Sequence, residues 1–194
     1  MKWFEELLKL LASALTKQRL EDAGAGPDAL KGAVTTMVEL PTFGGDNEPP
    51  EGLDESRAIS HCEPELARRY LLLKADFEAE TGRQLFETST YRSRRRQKQI
   101  YDQGRTTPGK IVTKLDGVTR RSRHNYWPAQ AIDVCVDSDP GPGKHAIWDE
   151  SAYQPLCDLA LKHGLTWGGD WNRNGTSDDE KFIDYPHLEL PGVA

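Results

Sequence analysis

The run Ala131-Ile132-Asp133-Val134-Cys135-Val136 constrains this chain most, because it reads as a strand with a carboxylate at its centre. Its apolar and β-branched content predicts a strand over 130–136. A carboxylate there is costly to bury unless it is paired or binds a metal, so the fold has to bring Asp133 a partner. Five histidines are available. His61 and His163 fall at a helix edge and a helix end, and His145 follows a Gly/Pro turn, so these three read as surface or capping residues. His124 lies on a loop that can fold back over the strand. His187 belongs to Asp184-Tyr185-Pro186-His187-Leu188-Glu189-Leu190, where alternation puts His187 and Glu189 on one face and Leu188 and Leu190 on the other.

Two imidazoles and one carboxylate leave a fourth zinc position open, which is the catalytic rather than the structural pattern. Such a metal acidifies a bound water and polarises a carbonyl, and Asp184 is placed to take a proton and pass it to a leaving amine. The alternative is a core histidine whose hydrogen bonds are satisfied within the protein.

The rest of the chain supplies a frame. Trp3, Phe4, Leu7, Leu8, Leu11 and Leu15 recur at helical spacing, predicting an amphipathic helix over 1–20. Its apolar face suits its own domain, a sister copy, a partner or a membrane surface. Residues 21–57, rich in Gly, Pro and acids, read as a flexible linker, which leaves 58–194 as the main domain. There Pro64 opens a helix that Gly82 ends. Strands are expected over 85–90, 165–167 and 185–190, a short polar helix over 94–103, an extended run over 110–113, a turn over 139–144, and one helix over 150–163. Helices and short strands mix without regular alternation. The expected class is therefore α+β, a small antiparallel sheet flanked by helices.

Length and charge narrow the function. A chain of 194 residues buries a core without structural metals. A net charge of −6 argues against a nucleic-acid partner. Cys62, Cys135 and Cys157 form no Cys-x-x-Cys pair, so neither a disulfide framework nor a cysteine zinc cage is indicated. No apolar run is long enough to span a bilayer. Residues 1–15 lack the core and cleavage site of a signal peptide, so cytoplasmic synthesis and delivery by another factor are expected for any substrate outside.

A second ion site is suggested by Asp170-Trp171-Asn172-Arg173-Asn174-Gly175-Thr176-Ser177-Asp178. Asp170, Asn172, Asn174 and Asp178 offer oxygens in the order of a calcium loop, with Gly at the sharp turn. Lys181 stands where a bidentate Glu is expected, with Glu180 beside it. The competing reading is a polar hairpin with an Asn-Gly turn.

Taken in order, the motifs resemble a known family. Ser122-x-His124 with a following Ala131-x-Asp133, and Asp184-x-Pro186-His187-x-Glu189-Leu190, are similar to zinc peptidases that include D-alanyl-D-alanine carboxypeptidases and phage L-alanyl-D-glutamate endopeptidases. Tyr91-Arg92-Ser93, Gln97, Tyr101, Gln103-Gly104-Arg105-Thr106, Pro108-Gly109 and Ile111-Val112-Thr113 resemble the phage endolysin branch, and Trp167-Gly168-Gly169-Asp170-Trp171 fits as well. The resemblance spans about residues 60–190 and implies a hedgehog/D-Ala-D-Ala-peptidase-like fold. It also implies His124, Asp133 and His187 as zinc ligands, Asp184 as acid/base, and Arg92 as the group that steadies the oxyanion. Ser122 and Gln97 match positions supporting the site or substrate. The chain departs from many members in a longer His124-to-Asp133 connection containing Trp127 and Pro128. The implied substrate is a peptidoglycan stem peptide cut between L-Ala and D-Glu. D,D-carboxypeptidase activity and a non-catalytic zinc-bearing assembly module are the alternatives.

Overall fold

A computed structural model describes residues 48–138 and 145–192. The helix expected over 1–20, most of the linker and the 139–144 turn lie outside the described residues. Helix α1 (Pro64–Thr81) starts where the Glu63 carboxylate accepts the backbone N–H groups of Glu65 and Leu66 at 2.9 and 3.2 Å. Pro64 occupies the first turn, where its missing N–H costs nothing. Gly82 ends the helix in the left-handed conformation, φ 68°, donating to Glu78 O. Leu66, Tyr70, Leu73 and Phe77 share the buried face with no exposed surface. Each such apolar side chain stabilises the fold by about 1.5–3 kcal/mol.

Strand β1 (Gln84–Ser89) and helix α2 (Arg94–Asp102) follow. Ser93 caps α2 by accepting from Arg96 N at 3.1 Å. Strand β2 (Ala131–Asp137) comes after a long loop containing the 3-10 turn Arg123–Asn125. Strand β3 (Ala146–Ile147), the 3-10 turn Glu150–Ala152, helix α3 (Leu156–Lys162), strand β4 (Thr166–Trp167) and strand β5 (His187–Glu189) complete the described elements.

Three expectations need correction. The single helix over 150–163 is broken in two, because Pro155 supplies no N–H and disfavours helical geometry at Gln154. The run 110–113 pairs with no strand. Side chains brace it instead: Gln97 Nε2 donates to Thr113 Oγ1 and Leu115 O, and Arg105 donates to Thr113 O at 3.0 Å. The last residues given to the linker also lie on the domain. Ser56 exchanges backbone hydrogen bonds with Thr90 and Tyr91, Ser93 bonds Asp54, and Arg96 pairs with Glu55 at 2.7 Å.

The sheet is antiparallel in the order β1-β2-β5-β4, with β3 on the last residues of β2, as the α+β class requires. Cross-strand partners share a face. Leu85 opposite Val136, Ile132 opposite Leu188, and Leu188 opposite Trp167 therefore form one apolar face. This face joins α1 and α3 in a single core. Polar contacts lace the two helices: Arg69 donates to Gly164 O, and Asp76 meets His163 at 2.7 Å and Lys162 at 2.9 Å. The opposite face carries Ser89, Asp133 and His187 in a line, since Asp133 is the partner of both neighbours. An irregularity between Glu87 and Ser89 brings Ser89 into that line.

Candidate metal centre and catalytic site

Strand pairing alone brings Asp133 and His187 together. His124 arrives from the 3-10 turn Arg123–Asn125. There Ser122 Oγ accepts from His124 N at 3.3 Å and Asn125 Oδ1 accepts from Ser122 N at 2.9 Å. This reciprocal cap fixes a turn too short to hold itself. Two further bonds hold the turn against Arg92: Arg92 N donates to His124 O, and Asn125 Nδ2 donates to Arg92 O. The longer His124-to-Asp133 connection thus closes without displacing either residue from the other.

His124 Nε2 and His187 Nδ1 each lie 3.0 Å from Asp133 Oδ1 and 3.3 Å from one another. Among the described residues this is the one group of three or more His, Cys, Asp or Glu able to hold a metal. The far nitrogens are committed elsewhere. His124 Nδ1 is 2.5 Å from Thr90 O, and His187 Nε2 is 3.0 Å from Glu189 Oε2. A proton on each far nitrogen leaves both inner nitrogens with lone pairs, facing each other and a carboxylate. That arrangement repels itself unless a proton or a metal cation sits among the three atoms. Tetrahedral zinc with bonds of about 2.0–2.1 Å spaces its donors roughly 3.3 Å apart, close to the separations here. The residues therefore fit zinc.

Charge at the centre follows from the same contacts. Burial alone would raise the Asp133 carboxyl, but His124 and His187 hold it well below the usual carboxylate range. Burial also opposes charge on His187. The hydrogen bonds to Asp133 and Glu189 outweigh it and lift His187 to about 10 in the metal-free protein. Metal binding would thus displace a proton.

Arg92 takes the other side of Asp133, with Nη2 at 3.2 Å from Oδ2 and 3.1 Å from Ser89 Oγ, and Nη1 at 3.0 Å from Gln97 Oε1. Gln97 is fully buried, and its amide is spent on Arg92, Thr113 and Leu115. Asp184 precedes β5. Its backbone N–H donates to Gly168 O and its carbonyl accepts from His187 N. Burial and the charge of Asp133 push its carboxyl above the usual range, while His187, His124 and Arg92 pull against them. A raised carboxyl beside the centre suits proton exchange. Gly168 allows this approach: a Cβ there would lie 2.3 Å from Asp184 O and 3.0 Å from His187 Cβ.

The Asp170 loop is arranged differently. Asp170 is buried, and its two carboxylate oxygens accept the backbone N–H groups of Asn174 and Gly175 at 3.0 and 2.9 Å. Asn172 and Asn174 both donate to Asp179 Oδ2. Asp178 contributes a backbone N–H to Thr176 Oγ1. Three participants were not identified from sequence. Thr90 acts through its carbonyl, which no residue type announces, and Trp171 stands with its ring 5.4 Å from that of His187. Glu189 was legible as a face-mate of His187 but not as its hydrogen-bond partner.

Two imidazoles and a carboxylate thus gather where one face of an α+β sheet meets the Arg123–Asn125 turn, a donor set able to hold a metal. The chain matches the model of the D-alanyl-D-alanine carboxypeptidase family over residues 116–190. It is 36% identical over 121 residues to the peptidoglycan L-alanyl-D-glutamate endopeptidase CwlK of Bacillus subtilis (strain 168), a match covering 58% of this chain and 64% of that relative. The chain thus spans less than two thirds of the relative's length. A solved structure, the L-Ala D-Glu endopeptidase ChiX of Serratia marcescens, matches with TM-score 0.47 and 20% identity, covering 69% of this chain and 87% of ChiX.

Proposed function

We propose that this protein is a zinc metallopeptidase that hydrolyses peptidoglycan stem peptides between L-Ala and D-Glu. The carrying observation is the inward turn of the His124 and His187 nitrogens onto Asp133, beside a half-buried Asp184. The choice of bond draws its support from the likeness to CwlK. The phage or prophage lysin type rests on the 91–113 motifs, and delivery to the wall by another factor goes with it. Residues 58–194 carry the activity in this reading. No described helix is long and apolar enough to cross a membrane. Calcium stays outside the proposal, because the group of His, Cys, Asp and Glu gathered for a metal among the described residues is His124, Asp133 and His187 and not the Asp170 loop.

His124, Asp133 and His187 would hold a zinc ion, which when bound would acidify a water and polarise the scissile carbonyl. Asp184 takes the proton of the attacking water on its carboxylate and returns it to the nitrogen of the departing amine. Arg92, fixed by Asp133, Ser89 and Gln97, donates to the carbonyl oxygen as it gains charge. Gln97 and Ser122 act through Arg92 and His124, which they hold in place.

Digestion of purified sacculi tests the reading: new N-terminal D-Glu by mass spectrometry is expected, whereas free D-Ala would make the protein a D,D-carboxypeptidase. Asp184→Ala should lower kcat by about 10²–10⁴ with zinc content unchanged. Equal inactivity of both proteins on every wall would favour a binding or assembly module.

A further inference from the structure

Between β4 and β5 the chain makes a long loop that closes on itself, with Trp171 Nε1 donating to Phe182 O at 2.8 Å. The two rings stack at 6.2 Å and 21°. The Trp171 ring also reaches the His187 ring, and Phe182 has Lys114 Nζ 4.8 Å from its centroid. A continuous aromatic ledge therefore leaves the metal centre and ends at an ammonium group. Phe182 is 40% exposed, so the ledge is not core.

Lys114 is exposed and makes no ion pair among the described residues, although its backbone neighbours are firmly held. Thr113 O accepts from Arg105, and Leu115 O accepts from Gln97, which also supports Arg92. The lysine is thus presented from a fixed segment tied to the catalytic side of the molecule. Exposed Ile111 and Val112 precede it in the same segment.

An acidic peptide approaching this centre meets Asp133, Asp184 and Glu189 on a protein of net charge −6. In the proposed reading zinc and Arg92 answer the charge at the scissile bond, so a carboxylate farther along the peptide is held only where another cation compensates. Lys114 is positioned to do so, and the ledge gives the peptide a flat surface on which to lie. We propose that Trp171, Phe182 and Lys114 form a substrate subsite in which the rings carry the peptide and Lys114 binds a carboxylate some residues from the scissile bond. This inference rests on the peptidase reading and names its substrate class, a peptide with a free carboxylate.

Binding is measured by calorimetry on the zinc-loaded full chain carrying Asp184→Ala, so that turnover does not intrude. The probes are an L-Ala-D-Glu stem tripeptide with free carboxylates and its fully amidated counterpart. The free acid should bind about 5–10-fold tighter, with the preference shrinking as salt rises. Lys114→Gln should bring the ratio to about one, Lys114→Arg should keep it, and Trp171→Ala should weaken both peptides together. A ratio that survives Lys114→Gln, or failure of both probes to bind, overturns the subsite. Hydrolysis by the unmutated chain is scored apart. Absence of cleavage with the carboxylate preference intact overturns the peptidase reading alone, and intact cleavage without the preference overturns the subsite alone.

Discussion

A neutral imidazole offers a lone pair at one nitrogen only, so the partner of the other nitrogen decides which way a histidine faces as a ligand. For His124 that partner is a backbone carbonyl, which mutation cannot remove. For His187 it is Glu189, whose carboxylate also has Arg123 at 3.8 Å. Glu189→Gln should weaken zinc affinity about 10–100-fold in a competition titration against a chromophoric chelator, with far-UV circular dichroism unchanged. Unaltered affinity would remove Glu189 from the centre. Legibility at this scale depended on what each residue contributes. Asp133 and His187 stood out because a charged or polar side chain on an apolar strand demands an explanation. His124 depended on family resemblance, since neither the Thr90 carbonyl nor the Asn125 cap that aims it leaves a mark at its own position.

Among the elements, α1 has its first turn pinned by charge. Glu65 accepts from Arg68 and Arg69, and Arg69 continues to Gly164 beyond α3. The Arg68 hydrogen bond, joined by that from Arg69, lowers the Glu65 carboxyl to about 2 although burial opposes it. A carboxyl lowered by folding adds stability that is present above its unfolded value near 4.5 and is lost as pH falls toward 2. Glu65 is 41% exposed and screened by water, so Glu65→Gln should cost only about 0.2–1 kcal/mol at pH 7. Urea unfolding should show the gap narrowing between pH 5 and pH 3. A gap that is constant or widens on acidification would contradict the assignment. Helix ends marked by Pro64 and Gly82 were legible because those residues act locally. The break at Pro155 and the unpaired run 110–113 were not, because apolar spacing runs through the first, and the second depends on distant Gln97 and Arg105.

Across the whole molecule, the sheet separates support from chemistry. One face is packed by α1 and α3, and the other carries the proposed metal centre. Chelation should therefore abolish hydrolysis while leaving far-UV circular dichroism intact, with thermal stability falling only by the mass-action term for lost metal. Collapse of the secondary structure on chelation would show that the two faces are not independent. Gly168 bears on how such a site could be altered by selection. Residues around it can be exchanged at some cost in packing, but the hydrogen on its α-carbon works as a spacer between the backbone of Asp184 and the side chain of His187. Even a single methyl group there would shift Asp184 and His187 relative to one another. A randomised library across this loop would therefore find position 168 closed to all twenty letters but one.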